Sequence, residues 1–388
     1  MRKIAFITAH NWDSLRLGGF HKFAEAAVNR GLETVFFSFP RPYYGYFMKR
    51  EQLNPDVIRT LRKGKYYTVG AERRTILNVT FPTFRLPDAA GKMLPDFIMN
   101  FLLQKSVTSF SRFAGKFLSG TDCFVFESCE GIVFADKIKK LFPDAKIVYR
   151  PSDPLVYDSV PLRLKRMEQR MLYAADMTYI VNEEGLLAYR NRIPFFDSNV
   201  RYRMLPNGID MTSYKRTYPV PDVLAGKNTV LYVGAWGVEW DLLFKAAAET
   251  PEFDYIVVCP NYPSEKVQRR IADFSNLTYV PGIQPSEVPA WITNCSVVMV
   301  PYVTDFYKDR PLGITAKYYQ AMAAEKPIVA YCDTPKLAEV GITVTYSYER
   351  FIEAVKIAVS KGKQRYDFDL QNRNWNTITD RFLDEIAQ

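Results

Sequence analysis

Histidine and cysteine are scarce in this 388-residue chain. Two histidines and five scattered cysteines (Cys123, Cys129, Cys259, Cys295 and Cys332) fit no zinc-ligand spacing, and an odd, unclustered set of cysteines is no disulfide framework. The thiols read as reduced and mostly buried. No apolar stretch approaches the roughly 20 residues that a membrane-spanning helix needs, so the chain is expected to be soluble or peripheral, on the cytoplasmic side. The opening MRKIAFITAH has a basic start, but its apolar run is too short for a secretory leader and reads as a first strand. The dinucleotide fingerprint GxGxxG is missing throughout, which removes the main support for a nicotinamide dehydrogenase. Repeats and low-complexity tracts are missing too, and with them solenoid and disordered architectures.

What is present is a globular balance, 48% hydrophobic and 24% charged, on a chain long enough for two cores. A net charge of +9 with 15% aromatic residues suits an anionic partner. A sugar nucleotide, a membrane surface and a nucleic acid all satisfy that charge.

Strand and helix patterns alternate along most of the chain. KIAFIT, a loop beginning at His10, a helical segment from Phe20 to Val28 and TVFFSF make a βαβ opening. In open parallel sheets ligands sit at the carboxyl ends of the strands, so that loop lies on the working edge. Pro40 to Gly120 is irregular and rich in Tyr, Phe, Arg and Lys. Within it, Leu94 to Phe117 has helical apolar spacing with Lys105, Arg112 and Lys116 interspersed, which fits either a core crossover helix or one lying on a membrane surface, as does RPYYGYFMKR before it. CFVFES ends a buried strand at Glu127, and KIVYR ends another at Arg150, with Asp153 just beyond in a turn stiffened by Pro151 and Pro154. A carboxylate there fits a general base, and equally an Asx-turn or helix cap. The Asn207-Gly208 turn precedes a short linker, after which TVLYVG restarts the strand and helix rhythm.

The most informative stretch is PYVTDFYKDRPLGITAKYYQAMAAEKPIV, which follows the apolar run SVVMV. It reads as a strand end, a loop, a helix starting near Gly313 and another strand. Unpaired N–H groups in the first helical turn form an anion site, with Lys317 one turn inside and Gln320 on the same face. A nucleotide diphosphate fits; an ordinary αβ unit with a solvated lysine fits as well. Asp367 and Asp369 form a D-x-D in a late linker and read as surface charge.

PNGID at the boundary, VGAW after the first strand of the second half, and LGITAKYYQAMAAEKPIV resemble the GT-B glycosyltransferases over essentially the whole chain. FVFES, KIVYRPSD and the K-x-x-Q helix are most similar to the membrane-associated β-glucuronosyltransferases of xanthan assembly. The resemblance implies an α/β chain of two doubly wound, Rossmann-like domains facing across a cleft. Residues 1–215 would form an acceptor-binding, membrane-associating domain and 216–365 a nucleotide-sugar domain, with 366–388 a helix crossing back to the first. It implies Asp153 as catalytic base, Tyr302, Lys317, Gln320 and Gly313 as UDP-binding residues, and Trp236 near the base. His10 and Glu127 become acceptor-side candidates. Retaining relatives usually carry Glu where Gln320 stands, so glutamine argues for inversion. Ile283 and Trp236 depart from the family pattern, replacing a carboxylate and a methionine.

The implied donor is a UDP-sugar, with UDP-glucuronate favoured over UDP-glucose. Lys308 and Arg310 in YKDR could meet the sugar carboxylate, although Asp309 can neutralise one of them. The implied acceptor is a saccharide linked to a lipid diphosphate, met at an anionic membrane surface on the inner face of the cell membrane. No nucleic acid and no metal are expected, since Lys317 and the helix start would meet the leaving-group charge. Two other classes share the nucleotide site: a GT-B epimerase using Glu127 and Asp153, and a non-catalytic nucleotide-sugar-binding subunit.

Overall fold

The computed structural model describes residues 1–14, 18–48, 63–70, 72–91, 94–226, 228–234, 237–303, 313–331, 334 and 336–388. They form two compact units, Met1–Pro206 with Ile378–Gln388, and Asn207–Thr377.

The first unit holds an eight-stranded sheet among the described residues. Its strands are β1 (Lys3–Thr8), β2 (Glu33–Pro42), β3 (Lys65–Val69), β4 (Arg74–Thr83), β5 (Cys123–Phe126), β6 (Lys146–Tyr149), β7 (Met177–Ile180) and β8 (Tyr202–Met204), in the order β3-β4-β2-β1-β5-β6-β7-β8. All neighbours are parallel except β3, which runs antiparallel to β4. Every residue of β1 is buried, because a parallel sheet is covered on both faces and its central strands read as unbroken apolar runs. On one face Ala5 and Ile7 meet the helix Phe110–Phe117, where Phe110 stacks on Phe134 at 4.1 Å and Phe113 lies 5.0 Å from Phe37. In this unit the last helix, Trp375–Ala387, sets Phe382 4.7 Å from Phe23 and 5.1 Å from Tyr179.

Three local expectations change. The segment 40–120 contains the β3–β4 hairpin that its basic, aromatic composition hid. The continuous helical spacing from Leu94 to Phe117 is two helices, Asp96–Leu103 and Phe110–Phe117, because Ser109 accepts the Arg112 N–H at 3.3 Å and starts a new helix. The second of them is a core element, its phenylalanines buried. The units divide before the 215/216 boundary, since Ile209, Met211 and Tyr214 are buried in the second core.

The second unit holds β9 (Asn228–Val233), β10 (Phe253–Val258), β11 (Leu277–Val280), β12 (Val297–Pro301), β13 (Ile328–Tyr331) and β14 (Thr343–Thr345). Their order is β11-β10-β9-β12-β13-β14, and all pairs are parallel. In each sheet the strand order reverses beside the first strand of the unit, between β1 and β5 and between β9 and β12. Such switch points open a crevice at the carboxyl ends of the strands; Glu127 follows β5 there, and Tyr302 follows β12.

Candidate active site

At the switch point of the first sheet, Glu127 follows β5 directly and is buried. Its carboxylate accepts hydrogen bonds from the Thr8 hydroxyl, at the end of β1, and from Ser152 Oγ at 2.6 Å. His10 Nε2 lies 3.8 Å away, and the His10 N–H donates to Thr8 Oγ1 at 3.1 Å. Both acceptor-side candidates thus belong to one cluster. The adjacent His21 donates through Nε2 to the Asn11 carbonyl at 2.9 Å, accepts the Gly18 N–H on Nδ1, and is held neutral by burial, which lowers its pKa.

Asp153 lies on the turn after β6 and is exposed. The Ser152 and Asp153 N–H groups both donate to Ser128 Oγ, at 3.0 and 3.2 Å, so the turn is pinned to the end of β5. Beneath it is Arg150, 1% exposed, with its guanidinium 5.1 Å from the Phe23 ring. Burial pulls its pKa down to about 10, while the charges of Glu127 and Asp153 oppose that fall, so it stays cationic at neutral pH. The sequence reading passed over Arg150 as a strand end. An arginine closing an otherwise apolar strand was the available signal.

At the switch point of the second sheet, Tyr302 follows β12 and is buried. It bridges to Val238, while Glu239 donates to the Pro301 carbonyl and Val303 to that of Gly237, both at 2.8 Å, so the loops after β9 and β12 are fastened together. The helix beyond begins at Ala316, three residues later than Gly313, which is buried in the approach to it. Thr315 occupies the cap position, but its buried hydroxyl has no hydrogen-bond partner among the described residues and leaves the first-turn N–H groups uncapped by that side chain. Lys317 donates to the Tyr302 hydroxyl, and its ammonium lies 4.5 Å from the Tyr302 ring centre and 5.0 Å from that of Tyr232. Gly234 must lack a side chain: a methyl there would come within 2.3 Å of the Tyr232 hydroxyl and 3.1 Å of the Lys317 ammonium. Gln320, half-buried, follows one turn later on the same helix. The site is a cation at a helix start, held by two tyrosines and packed against a glycine, which suits a diphosphate. Trp236, Lys308, Asp309 and Arg310 lie outside the described residues.

Elsewhere in the first unit, Phe97 and Phe101 on the helix Asp96–Leu103 are 72% and 56% exposed. With Met167 they border a groove of about 490 Å³ whose rim carries Lys105, Lys137 and Arg170, the Lys105 ammonium resting 4.7 Å from the Phe101 ring. No helix among the described residues is long and apolar enough to cross a membrane. Asp369 accepts the Gln371 N–H and two bonds from Asn372, a turn-forming role.

Two doubly wound sheets, one in each unit, are the architecture of the GT-B fold. Residues 227–360 match the family model described as Glycosyl transferases group 1. Whole-chain likeness to solved structures agrees on the fold. Sucrose-phosphate synthase from Thermosynechococcus elongatus superposes at a TM-score of 0.70 with 15% identity, over 100% of this chain and 99% of that one. The UDP-forming α,α-trehalose-phosphate synthase from Burkholderia vietnamiensis gives 0.67 and 13%, over 100% and 99%. HepE from Anabaena, solved with UDP and glucose, gives 0.65 and 12%, over 100% of both chains. Within this class the chain resembles one particular family: residues 6–181 match the model of Glucuronosyltransferase GumK, N-terminal domain. No curated protein matches the sequence.

Proposed function

We propose that the protein transfers glucuronic acid from UDP-glucuronate to a saccharide carried on a lipid diphosphate, with inversion at the anomeric carbon, in bacterial polysaccharide synthesis. The observation that carries the reading is the Lys317 ammonium, held by Tyr302 beside the start of the helix Ala316–Ala323, at the carboxyl edge of a parallel sheet. The match of residues 6–181 to a glucuronosyltransferase domain supports the choice of sugar.

In the proposed step the acceptor oxygen forms a bond to the anomeric carbon as the bond to the UDP oxygen breaks. The electron pair leaves on the diphosphate, whose growing charge Lys317 and the helix N–H groups offset. The acceptor proton passes to Asp153. Gly313 and Gln320 serve the nucleotide, and the sequence reading assigns Arg310 to the donor carboxylate. His10 and Glu127 serve the acceptor side. Attachment at an anionic membrane on its inner, cytoplasmic face uses Phe97 and Phe101 as apolar contacts, with Lys105, Lys137 and Arg170 facing lipid headgroups.

The test supplies labelled UDP-glucuronate and UDP-glucose side by side to the protein with a membrane extract and counts label in the lipid fraction. Preferential transfer from UDP-glucuronate, weakened in Arg310→Ala, is the expected outcome. Preference for UDP-glucose would overturn the donor assignment, sugar interconversion without acceptor would indicate an epimerase, and UDP binding without either reaction would indicate a binding subunit.

A further inference from the structure

Glu168 lies on the helix Leu162–Ala174 and has no contact with solvent. Its carboxylate accepts three hydrogen bonds: Tyr149 and Tyr189 donate to Oε1, each at 2.6 Å, and the Leu155 N–H donates to Oε2 at 2.7 Å. Tyr149 ends β6 and Tyr189 lies on the helix Glu183–Arg192, so the carboxylate joins two helices, a strand and a turn. Burying an acid this way is costly, and a methionine or leucine would fill the space without that cost. Burial raises its pKa to about 7, opposed by the three donors. What the carboxylate supplies and an apolar residue cannot is an acceptor for the two tyrosine hydroxyls at Oε1 and, at Oε2, for the Leu155 N–H. That N–H lies two residues past Asp153, on the other side from the Ser128 and Glu127 anchors.

We propose that Glu168 is a positioning residue for Asp153: it ties the far end of the turn 150–155 to the helix behind it, so that the exposed carboxylate is held from both sides. The inference rests on the reading of Asp153 as the base. A carboxylate held by a turn with only one anchor would sample many positions, and a misplacement of about 1 Å costs on the order of 100-fold in rate.

Glu168→Gln and Glu168→Met separate positioning from bulk. In the glutamine variant the amide oxygen can still accept the Leu155 N–H, while its NH₂ makes the two tyrosine hydroxyls turn their protons away; the anchor on the turn is kept, so turnover is expected within about threefold of wild type. In the methionine variant kcat is expected to fall about 10- to 100-fold, with the donor KM and UDP affinity unchanged. Unchanged kcat in a folded Glu168→Met protein, or a fall matched by weaker donor binding, overturns the proposal. Should the methionine variant not fold, amide exchange in the wild-type protein decides: the Leu155 amide is expected to be protected like the amides of β6, and exchange at open-loop rates overturns the proposal. Failure of the base assignment is seen separately, as turnover retained by Asp153→Asn.

Discussion

The two switch points carry side chains of opposite charge. In the first sheet the polar groups converge on carboxylates: Glu127 is buried under Thr8 and Ser152, Arg150 lies beneath, and Asp153 is exposed on a turn pinned by Ser128. In the second they converge on a cation, with Tyr302 and Tyr232 around Lys317 and Gly234 packed close against the Tyr232 hydroxyl and the Lys317 ammonium. One fold unit used twice thus carries carboxylates over a buried arginine at one edge and a lysine between tyrosines at the other, and the difference lies in a few residues after the strands rather than in the sheets.

The comparison can be broken most severely at Asp153. In Asp153→Asn, turnover is expected to fall about 100- to 10,000-fold, the usual contribution of a positioned base, measured as labelled lipid per unit time. Near-normal turnover would move the base elsewhere, with Glu127 the next residue to test. Next in size, Phe382→Ala should cost about 3–5 kcal/mol of stability in denaturant unfolding, since it empties a site packed against Phe23 and Tyr179 behind the acidic edge. A loss below about 1 kcal/mol would show that the last helix is not part of that core. Gly234→Ala should cost about 1–3 kcal/mol through overpacking on the buried Tyr232 and, by displacing Lys317, weaken UDP binding severalfold. Unaltered binding would separate the glycine from the cation site. The smallest effect is expected from Phe101→Ser, which should lower flotation with anionic vesicles about tenfold or less while leaving turnover on a soluble acceptor unchanged. Equal flotation in both proteins would place the membrane contact elsewhere.

How legible these edges were depended on whether function followed local pattern. Lys317 and Gln320 could be read because the run SVVMV, the loop and the helix formers mark a strand end and helix start in sequence order. Asp153 could be read as a carboxylate past a strand, between prolines. Glu168 could not: in LRLKRMEQRMLYA it is one charge among many on an amphipathic helix, and only the approach of Tyr149, Tyr189 and Leu155 reveals that it faces inward. Arg150 was hidden for the complementary reason, since a terminal charge on a strand usually snorkels out, whereas here Phe23 and two carboxylates hold it inside. The β3–β4 hairpin escaped because its sequence, full of Arg, Lys and Tyr with Pro82 near its end, lacks clean alternation; pairing with β2 makes it a strand. The helix break before Phe110 was marked only by Ser109, inside a spacing that continues across it.

The central claim, that the second switch point binds the nucleotide and the first does the proton chemistry, is tested most directly by calorimetric titration of UDP into wild type, Lys317→Ala and Asp153→Asn. Loss of one charge-assisted phosphate contact predicts affinity about 10- to 100-fold weaker for Lys317→Ala, with Asp153→Asn indistinguishable from wild type. Unchanged UDP affinity in a folded Lys317→Ala protein would contradict the account.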